Sequence, residues 1–146
     1  MDPMRELYQQ LILDHNRNPR NFGRPEGADR EAEGYNPLCG DHYTIFVGLN
    51  GDEVEDVGFE GSGCAISKSS ASVMTETVKG KPTEEVLEIL SGFLDLVKGD
   101  SDEAATPKLA VFKGVRDFPT RTKCATLAWH ALRNAIRNDP STVTTE

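Results

Sequence analysis

Apolar residues recur along this chain first at helical spacing, then in alternation, then at helical spacing again. Met4, Leu7, Tyr8 and Leu11 share one face of an opening helix. Asp2 is placed to cap that helix and Pro3 suits its first turn. The run Asn18-Pro19-Arg20-Asn21-Phe22-Gly23 stops it. Residues from 24 to about 34 are polar and predict a loop. Alternation then predicts strands over about 42–49 and 53–60, joined by the turn signal Asn50-Gly51. A preceding strand around 31–36 completes a small three-stranded antiparallel sheet.

After Gly61-Ser62-Gly63 the period changes to that of a helix. Residues 65–79 form a helix rich in small side chains and closed by Gly80. Thr83 starts another, with Val86, Leu87, Leu90, Phe93, Leu94 and Val97 on one face. Residues 99–107 are acidic and loop-like, and a short apolar piece runs from Leu109 to Val115. A final helix begins near Thr120, after Pro119, with Leu127, Ala128, Ala131, Leu132 and Ala135 as its buried stripe. Residues 1–3 and 139–146 are expected to fray. Strands first and helices afterwards predict an α+β fold, with the sheet packed against a layer of helices.

No repeat, low-complexity segment or linker divides the 146 residues, so one domain spanning 1–146 is expected. No apolar stretch approaches the roughly 20 residues of a membrane span. The N-terminus shows no cationic segment followed by an apolar one, so no signal peptide is expected. A cytoplasmic location, with reduced thiols, follows as the expectation. The net charge of −8 argues against nucleic acid, which is bound by neutralising phosphates, and against an anionic membrane surface. A protein partner with a basic face stays compatible, although acidity alone also serves solubility.

Three cysteines change this picture, with one aspartate beside the first of them. An odd number of thiols cannot all pair as disulfides, and none lies in a CxxC pair. Three thiolates and a carboxylate suffice to close a tetrahedral zinc site. In an extended segment Cys39 and Asp41 point to one face, while Cys64 and Cys124 must be brought in by the fold. The opposing reading is that free cysteines serve as small buried hydrophobes. Local sequence weighs against it: Cys39 and Cys64 lie in Gly-rich turns, and Cys124 is placed at the start of the last helix beside Arg121 and Lys123. Helix N-termini and these cations should lower the pKa of Cys64 and Cys124. One hard oxygen among soft thiolates eases ligand exchange, so Cys39, on a Gly-flanked loop, is the thiol able to leave and attack sulfur on another protein.

Other groups are less informative. His42 should point to the face opposite Asp41, His130 reads as structural, and His15 reads as a helix C-terminal cation. Ser67, Ser69, Ser70 and Ser72 suit close helix packing, with no base positioned to activate them. The glycines at 58–63 lack the Lys-Ser/Thr ending of a phosphate loop.

Several motifs together resemble the IscU/NifU-like proteins of iron–sulfur cluster assembly: Leu13-Asp14-His15 with Asn18-Pro19-Arg20-Asn21-Phe22-Gly23, Asn36-Pro37-Leu38-Cys39-Gly40-Asp41, Gly63-Cys64-Ala65-Ile66-Ser67, and Lys123-Cys124-Ala125-Thr126-Leu127-Ala128-Trp129. The resemblance runs from about residue 5 to residue 137. It implies a three-stranded sheet packed on helices and a metal site of Cys39, Asp41, Cys64 and Cys124.

The chain departs from the scaffold members in three ways. Lys123 stands where they carry His, residues 117–122 replace their Leu-Pro-Pro-Val-Lys chaperone motif, and the Cys64–Cys124 separation is longer. These departures resemble the SufU branch. They imply a zinc-dependent sulfurtransferase that accepts persulfide from a SufS-type cysteine desulfurase on Cys39 and passes it to a downstream iron–sulfur scaffold. Arg121 and Lys123 would then stabilise an arriving persulfide or dock the desulfurase. Two alternatives stand beside this one: a scaffold holding iron or a transient cluster at the same four residues, and a zinc-stabilised module that activates the desulfurase.

Overall fold

The computed structural model describes residues 3–139 and 141–144. Its elements run α1 (Pro3–Arg17), β1 (Arg30–Asn36), β2 (Asp41–Asn50), β3 (Glu53–Ser62), α2 (Ala65–Val78), α3 (Thr83–Lys98), α4 (Pro107–Ala110), a 3-10 turn (Val111–Val115), α5 (Pro119–Ile136) and β4 (Val143–Thr144). This is the expected α+β arrangement with one strand more. The sheet order is β3-β2-β1-β4, antiparallel except where β4 lies parallel to β1. Residues 143–144 therefore form a strand where a frayed tail was expected; two residues are too few to show alternation.

The hairpin of β2 and β3 forms because Gly51 takes the left-handed conformation (φ 62°) beside Asn50. Register places Ala32, Ile45 and Phe59 in one row across the sheet, and Val47 opposite Val57. All five side chains are buried. Helix α5 packs across β1 and β2, and α2 lies against β3 and α5. In turn, α3 and the 3-10 turn back α5: Phe93 stacks on Trp129 with ring centroids 4.4 Å apart. The Trp129 indole N–H donates to Ser70 Oγ (3.0 Å), which donates to the Ala125 carbonyl. Ser70 of α2 thus serves packing, with its hydroxyl satisfied inside the helix layer.

Helix α1 corrects two expectations. Its inward stripe is Tyr8, Leu11, Ile12 and His15, at i, i+3, i+4 and i+7, with Ile12 and His15 buried and Tyr8 and Leu11 partly so, whereas Leu7 is 53% exposed. His15 is also no exposed helix-end cation. It is 1% exposed, with Nδ1 2.7 Å from Ser72 Oγ, and burial holds its pKa below the ordinary value. Asp2 lies outside the described residues. No helix among the described residues is long and apolar enough to cross a membrane.

Candidate metal centre

Three junctions of the fold meet at one end of the sheet: the β1–β2 turn, the β3–α2 connection and the second turn of α5. The register pairs Asn36, the last residue of β1, with Asp41, the first of β2. Both side chains face the helix layer and are fully buried. Between them the chain turns through residues 37–40, with Gly40 left-handed (φ 70°), and this turn carries Cys39. Cys39 and Asp41 are therefore neighbours across a tight turn, not along an extended segment.

Cys124 is the sixth residue of α5. It is thus past the first turn, not at the helix start as the sequence suggested. Its thiol lies 3.2 Å from Cys39 Sγ. The ligand atoms of Cys39, Asp41 and Cys124 all lie within 4.8 Å of one another. Cys64 caps α2, with its sulfur accepting from the Ser67 amide at 3.4 Å. It stands outside that trio but lines the same cavity as Cys39 and Cys124.

Asp41 is held by donors. Its Oδ1 accepts from the Cys64 amide (2.8 Å) and from Ser67 Oγ (3.0 Å), and Tyr43 Oη lies 3.1 Å from the same Ser67 hydroxyl. Its Oδ2 has only a long contact, 3.4 Å, with Asn36 Nδ2. A buried carboxylate with one oxygen tied down and the other nearly free, facing clustered thiols, suits a cation. Gly63 is required by this closeness: a Cβ there would meet Asp41 Oδ1, with Ser67 Oγ at 2.7 Å and Tyr43 Oη at 2.8 Å.

The electrostatics divide the thiols. The neighbouring Cys124 thiol, helped by the Ser67 amide, lowers the Cys64 pKa to about 6. Cys124 moves the opposite way, pushed up by the neighbouring Cys64 and then by burial. The sequence-based expectation of a lowered Cys124 pKa fails because the thiol is 3% exposed, past the first helical turn and crowded by acidic groups. Three thiols around a carboxylate cannot all ionise without a compensating cation, and three such donors with a carboxylate fit zinc or iron.

A cavity of about 450 Å³ opens over Cys39, Cys64 and Cys124, lined also by Ile66, Phe118, Pro119 and Arg121. Arg121 lies over the Phe118 ring, 4.7 Å from its centroid. Lys123 is half-buried and does not line this cavity. His42 is exposed on the far face, 3.9 Å from Glu33, and His130 contacts Arg133. Sequence reasoning missed Asn36, Ser67 and Tyr43 as supports of the cluster; only the presence of Asn36 and Ser67 inside the quoted motifs hinted at two of them.

The profile of the NifU-like N terminal domain matches residues 7–145. A zinc-dependent sulfurtransferase SufU from Bacillus subtilis (strain 168) is 42% identical over 135 residues, covering 91% of each chain. An iron-sulfur cluster assembly scaffold protein IscU from Streptococcus pyogenes serotype M1 is 37% identical over 139 residues, covering 94% of this chain and 87% of the relative. A crystal structure described as a hypothetical protein superposes with a TM-score of 0.82 at 38% identity, over 90% of this chain and 98% of the other. The N-terminal part of a nitrogen-fixing NifU-like protein from Brucella abortus gives 0.81 at 26% identity, over 92% and 94%.

Proposed function

The chain belongs to the NifU-like N terminal domain family, the SufU and IscU group of iron–sulfur cluster assembly proteins, and from that premise we propose that it is a zinc-dependent sulfurtransferase. It takes persulfide sulfur from a SufS-type cysteine desulfurase in the cytoplasm and passes it to a downstream cluster scaffold. The observation that carries this reading is the unequal anchoring of the clustered ligands. Asp41 and Cys124 are buried on regular elements, whereas Cys39 is half-exposed on a four-residue turn and opens to the cavity.

Cys39, Asp41, Cys64 and Cys124 would hold the zinc, whose charge keeps neighbouring thiols ionised near neutral pH. The Cys39 thiolate attacks the outer sulfur of the desulfurase persulfide. A new S–S bond forms on Cys39, the old one breaks, and its electron pair leaves on the desulfurase cysteine. Burial of Cys124 and capping of α2 by Cys64 keep those two sulfurs in place while the turn moves. Arg121, at the cavity rim, is positioned to attract the persulfide anion. Lys123, outside the lining, is assigned to docking the desulfurase.

The scaffold reading is supported by the identity to the Streptococcus relative, only slightly below that to the Bacillus one. Metal content of aerobically purified protein separates the two. Colourless protein with about one zinc per chain is expected; brown protein with visible charge-transfer absorption would favour the scaffold. A zinc protein that stimulates the desulfurase without ever carrying sulfur would make it an activating module.

A further inference from the structure

Asn36 is the buried side chain that contacts both Asp41 and Cys124 and also the turn that carries Cys39. A carboxamide has two N–H donors and one carbonyl acceptor. In Asn36 the Nδ2 group reaches Asp41 Oδ2 at 3.4 Å and Cys124 Sγ at 3.6 Å, the latter an ordinary reach for a sulfur acceptor. Its Oδ1 accepts from the Leu38 amide at 3.2 Å, one residue before Cys39. One fully buried amide therefore joins the turn that carries Cys39 to the two best-anchored ligands. The bond to Leu38 alone is a common way for asparagine to close a turn. The turn does not require the two donors, and these end on the carboxylate and the α5 sulfur.

We propose that Asn36 is a positioning residue that sets how readily Cys39 leaves the cluster, an inference that rests on the reading of Cys39 as sulfur acceptor. With Oδ1 holding the Leu38 amide, the turn stays closed and Cys39 stays beside Cys124. With Nδ2 holding Asp41 and Cys124, movement of the turn leaves those ligands in register for its return.

The test is site-resolved alkylation of zinc-loaded protein by iodoacetamide, with cobalt substitution read alongside. In Asn36→Ala, Cys39 should label about five- to tenfold faster, as loss of one net hydrogen bond allows. Cys64, Cys124 and zinc stoichiometry should stay near wild type, and the thiolate-to-cobalt band should shift because Cys124 loses its N–H donor. Asn36→Ser, which retains an acceptor for the Leu38 amide but is too short to reach Cys124, should recover most of the slow Cys39 labelling and keep the shifted band. Being close in size to Ala and still polar, it also keeps the test available should the alanine variant fold poorly. Wild-type labelling and spectra in both variants would overturn the proposal. So would equal acceleration at all three thiols with loss of zinc, which marks a merely structural residue. None of these readouts involves the desulfurase, so their failure leaves Cys39 as acceptor untouched.

Discussion

Gly63→Ala adds a single methyl group at the point where the cluster has no room. The new Cβ would press on Asp41 Oδ1 and stand 2.7 Å from Ser67 Oγ and 2.8 Å from Tyr43 Oη. These atoms carry the bonds from the Cys64 amide and the Ser67 hydroxyl to Asp41, at 2.8 and 3.0 Å. Overpacking of this kind costs about 1–3 kcal/mol, and a lost hydrogen bond adds roughly 1 kcal/mol. For a chain of this size each kcal/mol moves Tm by about 2–4 °C, so metal-free protein should melt roughly 4–16 °C lower. Displacing a group that orients a ligand also weakens metal binding by about 10–100-fold. Thermal melting with and without zinc, and chelator competition, measure both effects. Gly92→Ala is the control: a Cβ there meets nothing within 4 Å inside α3, so helix propensity should raise stability by about 0.5–1 kcal/mol. Wild-type melting and zinc affinity in Gly63→Ala would refute the packing argument.

Three further outcomes follow from the same geometry. Cys64→Ala and Cys124→Ala should lower zinc content and Tm together, by more than about 5 °C, because structural zinc binding is folding free energy; unchanged metal and melting in both would remove the shared site. Asp41→Ala should retain zinc more loosely on three thiolates with water completing the shell, yet lose most sulfur acceptance, and wild-type stimulation of the desulfurase would show the carboxylate dispensable. In metal-free protein Cys64 alkylation should reach half its maximum near pH 6, while Cys124 stays unreactive at neutral pH. The Cys64 shift is downward, so its contribution to stability is full above the ordinary thiol value of 9.0 and is lost as pH falls through about 6. A Cys64 midpoint near 9 would contradict the hydrogen-bonded thiolate.

What could be read from the sequence was local. The hairpin signalled by Asn50-Gly51 and the stripe from Leu127 to Ala135 are written within a few residues, and the structure has both, with the turn itself one residue later, at Gly51 and Asp52. Helix α1 was harder, because a face centred on Leu7 and one centred on Ile12 both fit helical spacing, and packing against α2 and the 3-10 turn selects the second. His15 looked like a helix-end cation because its partner, Ser72, lies 57 residues away. The cysteines and Asp41 stood out by residue type, but their separate environments did not. The depth of Cys124 depends on α5 starting at Pro119, and the grip of Asn36 on its sulfur spans 88 residues. Such contacts leave no periodic trace in a single chain.

The central claim is that Cys39 receives sulfur at a zinc centre. Zinc-loaded protein is mixed with a SufS-type desulfurase and isotopically labelled cysteine, quenched by alkylation, and mapped by mass spectrometry thiol by thiol. One added sulfur on Cys39, absent from Cys39→Ser although that variant melts as a folded protein, is the predicted result. Label accumulating on Cys64 or Cys124, or on no thiol while the desulfurase turns over, would contradict it.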